Sequence, residues 1–242
     1  MISVCMATHN GAKYIKEQLD SIICQLSTDD EIIISDDGST DDTLEIIEKL
    51  NDARIKVYRY SQPVKTRHAH IYATHNFENA IKRASGRYIF ICDQDDIWHP
   101  NKVEICVSKL KESDMVVHNL HIIDSYGNDM FKNEYEGDFK KQNIFVLGKT
   151  YYGCSMAFKS SYVKSLIPFP KYLVLHDYWI GIIIQIFGTI VYVDEPLIDY
   201  RLRDDSVSHS NNNSLWFKVS YRIYIMLHLF IRILKLKLYD AI

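Results

Sequence analysis

Two short acidic clusters hold the residues best suited to chemistry. Asp93-Gln94-Asp95-Asp96 follows directly on the apolar run 88–92. Asp93 and Asp95 stand two apart, a spacing at which an extended backbone turns both carboxylates to one side. Hard oxygen ligands of this kind suit Mg²⁺ or Mn²⁺ bridging the phosphates of a nucleoside diphosphate, where the ion offsets charge on a leaving nucleotide. A solvated acidic turn capping the next helix would use the same residues. The strand before them and Ile97-Trp98-His99-Pro100 after them favour the metal. The second cluster is Asp36-Asp37-Gly38-Ser39, again at the end of an apolar run. As a plain turn it caps a helix. As a binding element, Asp37 accepts the imide N–H of a uracil or thymine ring, and Thr8 adds backbone and hydroxyl contacts to the base or ribose.

These residues are far apart in sequence, so the elements between them must bring them together. Residues 2–7 read as a buried strand, broken by Thr8-His9-Asn10-Gly11 and followed by a helix with Tyr14, Leu19 and Ile22 at helical spacing. A second strand over 31–35 leads into the Asp36-Asp37 cluster. The helix after it has Leu44, Ile47 and Leu50 on one face and a cap from Ser39 or Thr40. A third strand covers 55–60. Residues 61–75, with Lys65, Arg67, His68 and His70, read as a loop, and 77–84 as a helix ended by Gly86. The fourth strand is 88–92. Alternating strands and helices predict a mostly parallel α/β sheet covered on both faces, with ligands beyond the carboxyl ends of its strands. The clusters after residues 7, 35 and 92 then converge on one edge.

The second half has a weaker pattern. Strands are expected over 115–123, 153–158, 190–193 and 197–201, a loop-rich stretch over 125–145, and an apolar helix over 177–187. Residues 204–214 are polar and read as mobile. From 215 to 238 the pattern is helical, with Arg222, Arg232, Lys235 and Lys237 among aromatic and aliphatic residues. That helix either lies on a membrane surface or packs on the domain. The expected division is a catalytic domain over 1–204 (donor half 1–105, acceptor half 106–204), then a loop and amphipathic helix over 205–242.

Composition narrows the classes. The 242 residues are 47% hydrophobic, enough for one large domain. A net charge of -3 gives no basic field for nucleic acid. Five cysteines with no C-x-x-C pair fit reduced thiols in the cytoplasm, and no secretory signal or run of 18 apolar residues is present.

The clusters together resemble a known family. Ser3-Val4-Cys5-Met6-Ala7-Thr8-His9-Asn10 is similar to the opening strand of the family 2 glycosyltransferases, and Asp36-Asp37-Gly38-Ser39-Thr40-Asp41 to their second motif. Ser85-Gly86-Arg87-Tyr88-Ile89 with Asp93-Gln94-Asp95-Asp96 resembles their metal motif. Order and spacing match over residues 1–105. The resemblance implies a GT-A fold, a nucleoside-diphosphate sugar donor, Mn²⁺ or Mg²⁺, and inversion at the anomeric carbon. It places Thr8, Asn10 and Asp37 at the nucleotide, Asp93 and Gln94 near ribose and sugar, and Asp95 with Asp93 at the metal.

Gly153-Cys154-Ser155-Met156-Ala157-Phe158 looks like the family's acceptor-side strand. His176-Asp177-Tyr178-Trp179 is similar to the segment supplying the catalytic base. Inversion by direct displacement needs one carboxylate to take the acceptor proton, and the resemblance gives that role to Asp177. Asp177 serving only as a helix cap is the other use of that position. Tyr200-Arg201-Leu202-Arg203 resembles a tail motif in which relatives often carry histidine where Arg203 stands; an arginine there can pair with the pyrophosphate, as can Lys65 and Arg67. The Asp-Gln-Asp-Asp-Ile-Trp, His-Asp-Tyr-Trp and Tyr-Arg patterns resemble those of bacterial surface-polysaccharide transferases, rhamnosyltransferases included. The implied acceptor is a glycan or lipid-linked oligosaccharide, and the implied location the cytoplasm, with contact to the inner face of the membrane if the last helix is interfacial. A non-catalytic nucleotide- or carbohydrate-binding module would share the donor residues but have no need of Asp177. A sugar nucleotidyltransferase would carry a glycine-rich basic loop, which Thr8-His9-Asn10-Gly11-Ala12-Lys13 is not.

Overall fold

In the computed structural model, residues 1–62, 66, 68–133, 151–203 and 215–239 are described. Chain order begins β1 (Ile2–Thr8), α1 (Ile15–Ile23), β2 (Glu31–Asp36), α2 (Thr43–Lys49), β3 (Ile55–Arg59), α3 (Ala69–Ile81) and β4 (Tyr88–Cys92). It continues with β5 (Ile97–Trp98), α4 (Lys102–Leu110), β6 (Met115–Ile123), β7 (Asp129–Asn133), β8 (Met156–Lys159), α5 (Val163–Leu166), α6 (His176–Phe187), β9 (Ile190–Arg201) and α7 (Leu215–Tyr239).

Nearly every residue of β1, β2 and β4 is buried because helices cover both faces of the sheet. Alternate side chains divide between two cores. Val4, Met6, Ile32, Ile34 and Phe90 join one, while Cys5, Ile33, Ile89 and Ile91 join the other beneath α3 and α6. The strand order is β3-β2-β1-β4-β8-β6-β9-β5, with β7 against β6. The first four strands are mutually parallel, as the alternating pattern predicts. β8 then enters antiparallel between β4 and β6, and β6 pairs parallel with β9.

The structure departs from the sequence expectations at several places. α3 begins at Ala69, inside the stretch expected as loop, and ends at Ile81. Its period was hidden because its buried residues include polar ones that bond inward: Asn76 Nδ2 donates to the Thr8 carbonyl (3.2 Å) and Asn79 Nδ2 to Ser35 Oγ (2.7 Å). Gly86 does not end that helix. It sits where the chain enters β4 alongside β1, and a Cβ there would lie 2.6 Å from the Ser3 backbone nitrogen. The α2 helix takes no cap from Ser39 or Thr40; Asp41 Oδ1 accepts from the Thr43 N–H (3.1 Å). Residues 190–201 form one strand rather than two. Pro196 is tolerated because it pairs with Asn119 where the ladder is already irregular. Gly153–Ser155 is a 3₁₀ turn before β8, not strand, and part of the expected loop 125–145 is β7. The stretch 204–214 lies outside the described residues.

Candidate active site

Parallel register brings the three clusters to one edge. Thr8 pairs with Asp36 at the carboxyl ends of β1 and β2, and Met6 with Cys92 at the end of β4. The first loop is tied tightly to the second. Thr8 Oγ1 donates to Asp36 Oδ2 (3.0 Å), and the Asp37 N–H donates to the Thr8 carbonyl (2.9 Å). Asp36 also accepts from the Ser39 N–H (3.0 Å), so it is buried and fixes the turn. Asp37, half-buried beside it, is the member left facing outward. Burial pushes its carboxyl up; hydrogen bonding by Gln62 and the charge of His9 act the other way.

Asn10 and Gln94 turn out to be engaged within the protein. Asn10 stands at φ 49° in the left-handed region, and its Oδ1 accepts from the Thr40 N–H (2.8 Å). Gln94 Oε1 accepts from the His9 N–H (2.9 Å) while its Nε2 donates to the His9 carbonyl (3.1 Å). Both ends of the Gln94 amide therefore hold the β1 loop against the β4 loop. Arg67, with Lys65, lies outside the described residues.

The acidic cluster is arranged differently from the strand-alternation expectation. β4 stops at Cys92, so Asp93 to Asp96 bend rather than alternate, yet their charges still converge. Burial, then the charges of Asp95 and Asp177, raise the Asp93 carboxyl to about 7. Asp96 is buried; its Oδ1 accepts from the Arg201 N–H (3.0 Å), and its Oδ2 has no hydrogen-bond partner. Burial and then Asp95 and Asp93 push it well above the usual carboxylate range. Asp95 Oδ2 meets Arg203 Nη1 at 3.1 Å, and its carbonyl accepts from Arg201 Nε (2.8 Å). The pyrophosphate partner expected in Arg203 is thus an ion pair with Asp95 here. Both guanidiniums lie against Tyr14, at 4.8 Å for Arg201 and 5.5 Å for Arg203.

Carboxylates this close, one with an orphaned buried oxygen, are a set that a divalent cation would stabilise. Asp93, Asp96 and Cys154 place one ligand atom each within 4.8 Å of one another. Burial holds the Cys154 thiol protonated, and a thiol is a poor match for Mg²⁺ or Mn²⁺. The hard oxygen donors of that group are the carboxylates of Asp93 and Asp96, with the charge of Asp95 beside both.

Sequence reasoning did not find Asp96 as a candidate ligand, nor Lys102 behind it. Lys102 is fully buried, donates from Nζ to the Cys154 carbonyl (2.7 Å) and lies 4.1 Å from the Trp98 ring centre. Burial lowers its pKa, and its positive charge stabilises the acidic cluster from beneath. No sequence pattern marks a lysine at a helix start as buried.

Asp177 sits in the first turn of α6, close enough to Asp93 for its charge to be felt there. Its Oδ1 accepts from the Tyr178 N–H (2.7 Å). The helix terminus favours the ionised carboxyl, but burial wins and raises it to about 7. The neighbouring His176 is kept neutral by burial, its pKa lowered to about 3, and stacks on Phe77 at 4.3 Å. His176 thus anchors the start of α6, with Asp177 within reach of the Asp93 charge.

The family model described as Glycosyl transferase family 2 matches residues 3–166. A dTDP-rhamnosyl transferase, RfbG, of Shigella flexneri is 29% identical over 234 residues, covering 90% of this chain and 77% of that protein. Among solved structures, S. aureus TarS 1-349 in complex with UDP-GlcNAc superposes with a TM-score of 0.66 at 21% identity, covering 88% of this chain and 62% of that one. Glucosyl-3-phosphoglycerate synthase from Mycobacterium tuberculosis, in complex with Mn²⁺, UDP and its product, gives a TM-score of 0.58 at 18% identity, covering 96% and 79%. Lengths differ among such proteins: the chain spans 38% of a Nostoc glycosyltransferase, alr2836, to which it is 34% identical over 131 residues.

Proposed function

Because the chain belongs to glycosyl transferase family 2 and has the GT-A fold of those structures, we propose that it moves one sugar from a nucleoside-diphosphate donor to an acceptor hydroxyl with inversion. The carrying observation is that Asp177 lies close enough to Asp93 for its charge to be felt there, in a cluster where Asp93 and Asp95 also act on Asp96. UDP or dTDP is the donor nucleotide: Asp37 is an outward carboxylate beside Thr8, matched to a pyrimidine imide N–H. Complexes of TarS with UDP-GlcNAc and of the synthase with UDP support that reading, as does the name of RfbG. The acceptor is a glycan or lipid-linked glycan, in bacterial surface-polysaccharide assembly.

Asp93, Asp95 and Asp96 would hold Mn²⁺ or Mg²⁺, which when bound neutralises charge on the departing diphosphate. Arg203 then leaves Asp95 and turns to the phosphates. Asp37 orients the base, and Thr8, buried with its hydroxyl on Asp36 and its carbonyl on the Asp37 N–H, holds that turn in place rather than touching the base. Gln94 fixes the loops around it. Asp177 takes the proton from the acceptor hydroxyl as its oxygen attacks the anomeric carbon and the bond to the diphosphate breaks. A module that only binds sugars would gain nothing from a carboxyl held near 7 opposite the donor site.

Asp95→Ala tests this reading. Sugar transfer and metal-dependent nucleotide binding should both disappear while the circular dichroism spectrum is retained. Turnover unaffected by EDTA would overturn the metal assignment. Thermal shifts with UDP, dTDP and GDP in Mn²⁺ identify the nucleotide, since only a ligand well above its Kd stabilises strongly.

A further inference from the structure

Sequence left two uses open for the last helix, a membrane surface or packing on the domain, and the structure gives α7 two apolar faces. The inner face is packed. Ile225 and Leu229 are buried, the Tyr172 N–H donates to the Tyr224 hydroxyl (3.1 Å), and Arg232 Nη1 donates to the carbonyls of Ser165 (2.9 Å) and Ile167 (3.1 Å). These bonds fix which side of the helix points outward. On that side Ile223 (56% exposed), Leu227 (57%), Phe230 (61%), Leu234 (45%) and Leu238 (66%) form a continuous line. Steps of four, three, four and four keep them on one face over about 22 Å. Large apolar side chains contiguous on a surface mark an interaction site.

We propose that this outer face of α7 docks on an anionic lipid bilayer. Charge selects that occupant. Residues 215–239 contain Lys218, Arg222, Arg232, Lys235 and Lys237 and no aspartate or glutamate, in a chain of net charge -3. Without these five cations the rest of the chain stands at -8. Arg222, Lys235 and Lys237 are exposed and border the apolar line, the arrangement of a helix lying in the headgroup plane. A second copy of α7 would instead bring two all-cationic helices together. No described helix is long and apolar enough to cross a membrane, so the contact is in-plane. α7 packs near α6, and the charge of Asp177 reaches the Tyr221 hydroxyl. Docking therefore sets the Asp177 side of the cleft beside the bilayer.

The surface stands apart from the glycosyl-transfer reading, and its test needs no activity. The full chain is sedimented with vesicles of phosphatidylcholine alone or with phosphatidylglycerol at one third. Partitioning onto the anionic vesicles should be at least tenfold stronger and should fall in 0.5 M salt. Leu227→Ser with Phe230→Ser, both on the exposed line, should reduce it at least tenfold while leaving the melting temperature and UDP–Mn²⁺ binding unchanged. Equal partitioning onto both vesicle types, or undiminished binding by the double variant, would overturn the proposal. So would a parental dimer in light scattering that the double variant dissociates, since the face would then belong to a second copy.

Discussion

Asp177 and Arg203 are the two side chains whose replacement separates the roles within the site. Asp177→Asn preserves size and the bond from the Tyr178 N–H but removes the proton acceptor; the cap position of α6 is Leu175, not Asp177. Turnover should fall by about 10²–10⁴, the worth of a positioned general base, with nucleotide affinity retained; a role limited to that bond would leave turnover nearly unchanged. The parent's pH–rate profile carries the same signature. The Asp177 carboxyl is raised from 3.8 to about 7, so the base is protonated below that value and turnover should climb through about pH 7. Stability runs the opposite way. Between pH 4 and 7 the native state holds a proton that the unfolded chain has lost, so this group's contribution declines as pH rises. Asp177→Asn should remove both dependences. Arg203 tests the ion pair on Asp95. Arg203→Gln should tighten Mn²⁺ binding without nucleotide, read by electron paramagnetic resonance, by roughly fivefold for a pair of about 1 kcal/mol. Binding of the diphosphate should weaken in the same variant. Asp93 and Asp95 could be singled out in sequence because they follow an apolar strand at a spacing suited to a hard cation, and Asp177 because its segment resembles the family's; the structure brings the charge of Asp177 to Asp93. Lys102, Asp96 and Cys154 could not be singled out, because their part depends on burial and proximity that no local spacing encodes.

Among the elements, β1 and β4 depend on one glycine. The Gly86 N–H donates to Ser3 Oγ (2.8 Å), and the space for a Cβ is taken by the Ser3 backbone, which cannot swing aside. Gly86→Ala should cost about 1–3 kcal/mol, the range for overpacking, seen as a lower urea midpoint with an unchanged slope. An unchanged midpoint would show that the strands separate freely at that end. The strands β1, β2 and β4 could be read from sequence because burial on both faces makes them continuously apolar. α3 could not be read fully, since Asn76, Glu78 and Asn79 bond inward and erase the contrast between its faces. β8 posed another problem: its antiparallel entry between β4 and β6 is a choice of partner, which periodicity does not specify.

At the scale of the whole molecule, the layered α/β plan followed from alternation alone, and in the acceptor half β6 and α6 lie where the pattern put them, whereas the single β9 does not, because it crosses a proline and an irregular ladder. The strand order also has a consequence for biosynthesis. β1 leaves the ribosome before both of its neighbours, which begin at Glu31 and Tyr88. The acidic cluster is finished later still, when Arg201 and Arg203 reach Asp96 and Asp95. At about 5–20 residues per second, roughly 10–40 s separate the emergence of β1 from that closure. During that interval an apolar strand awaits its partners, a form open to aggregation and to chaperones. A nascent chain halted before β9 would carry its aspartates without the arginines that gather them, and so would remain silent however much donor the cell supplied.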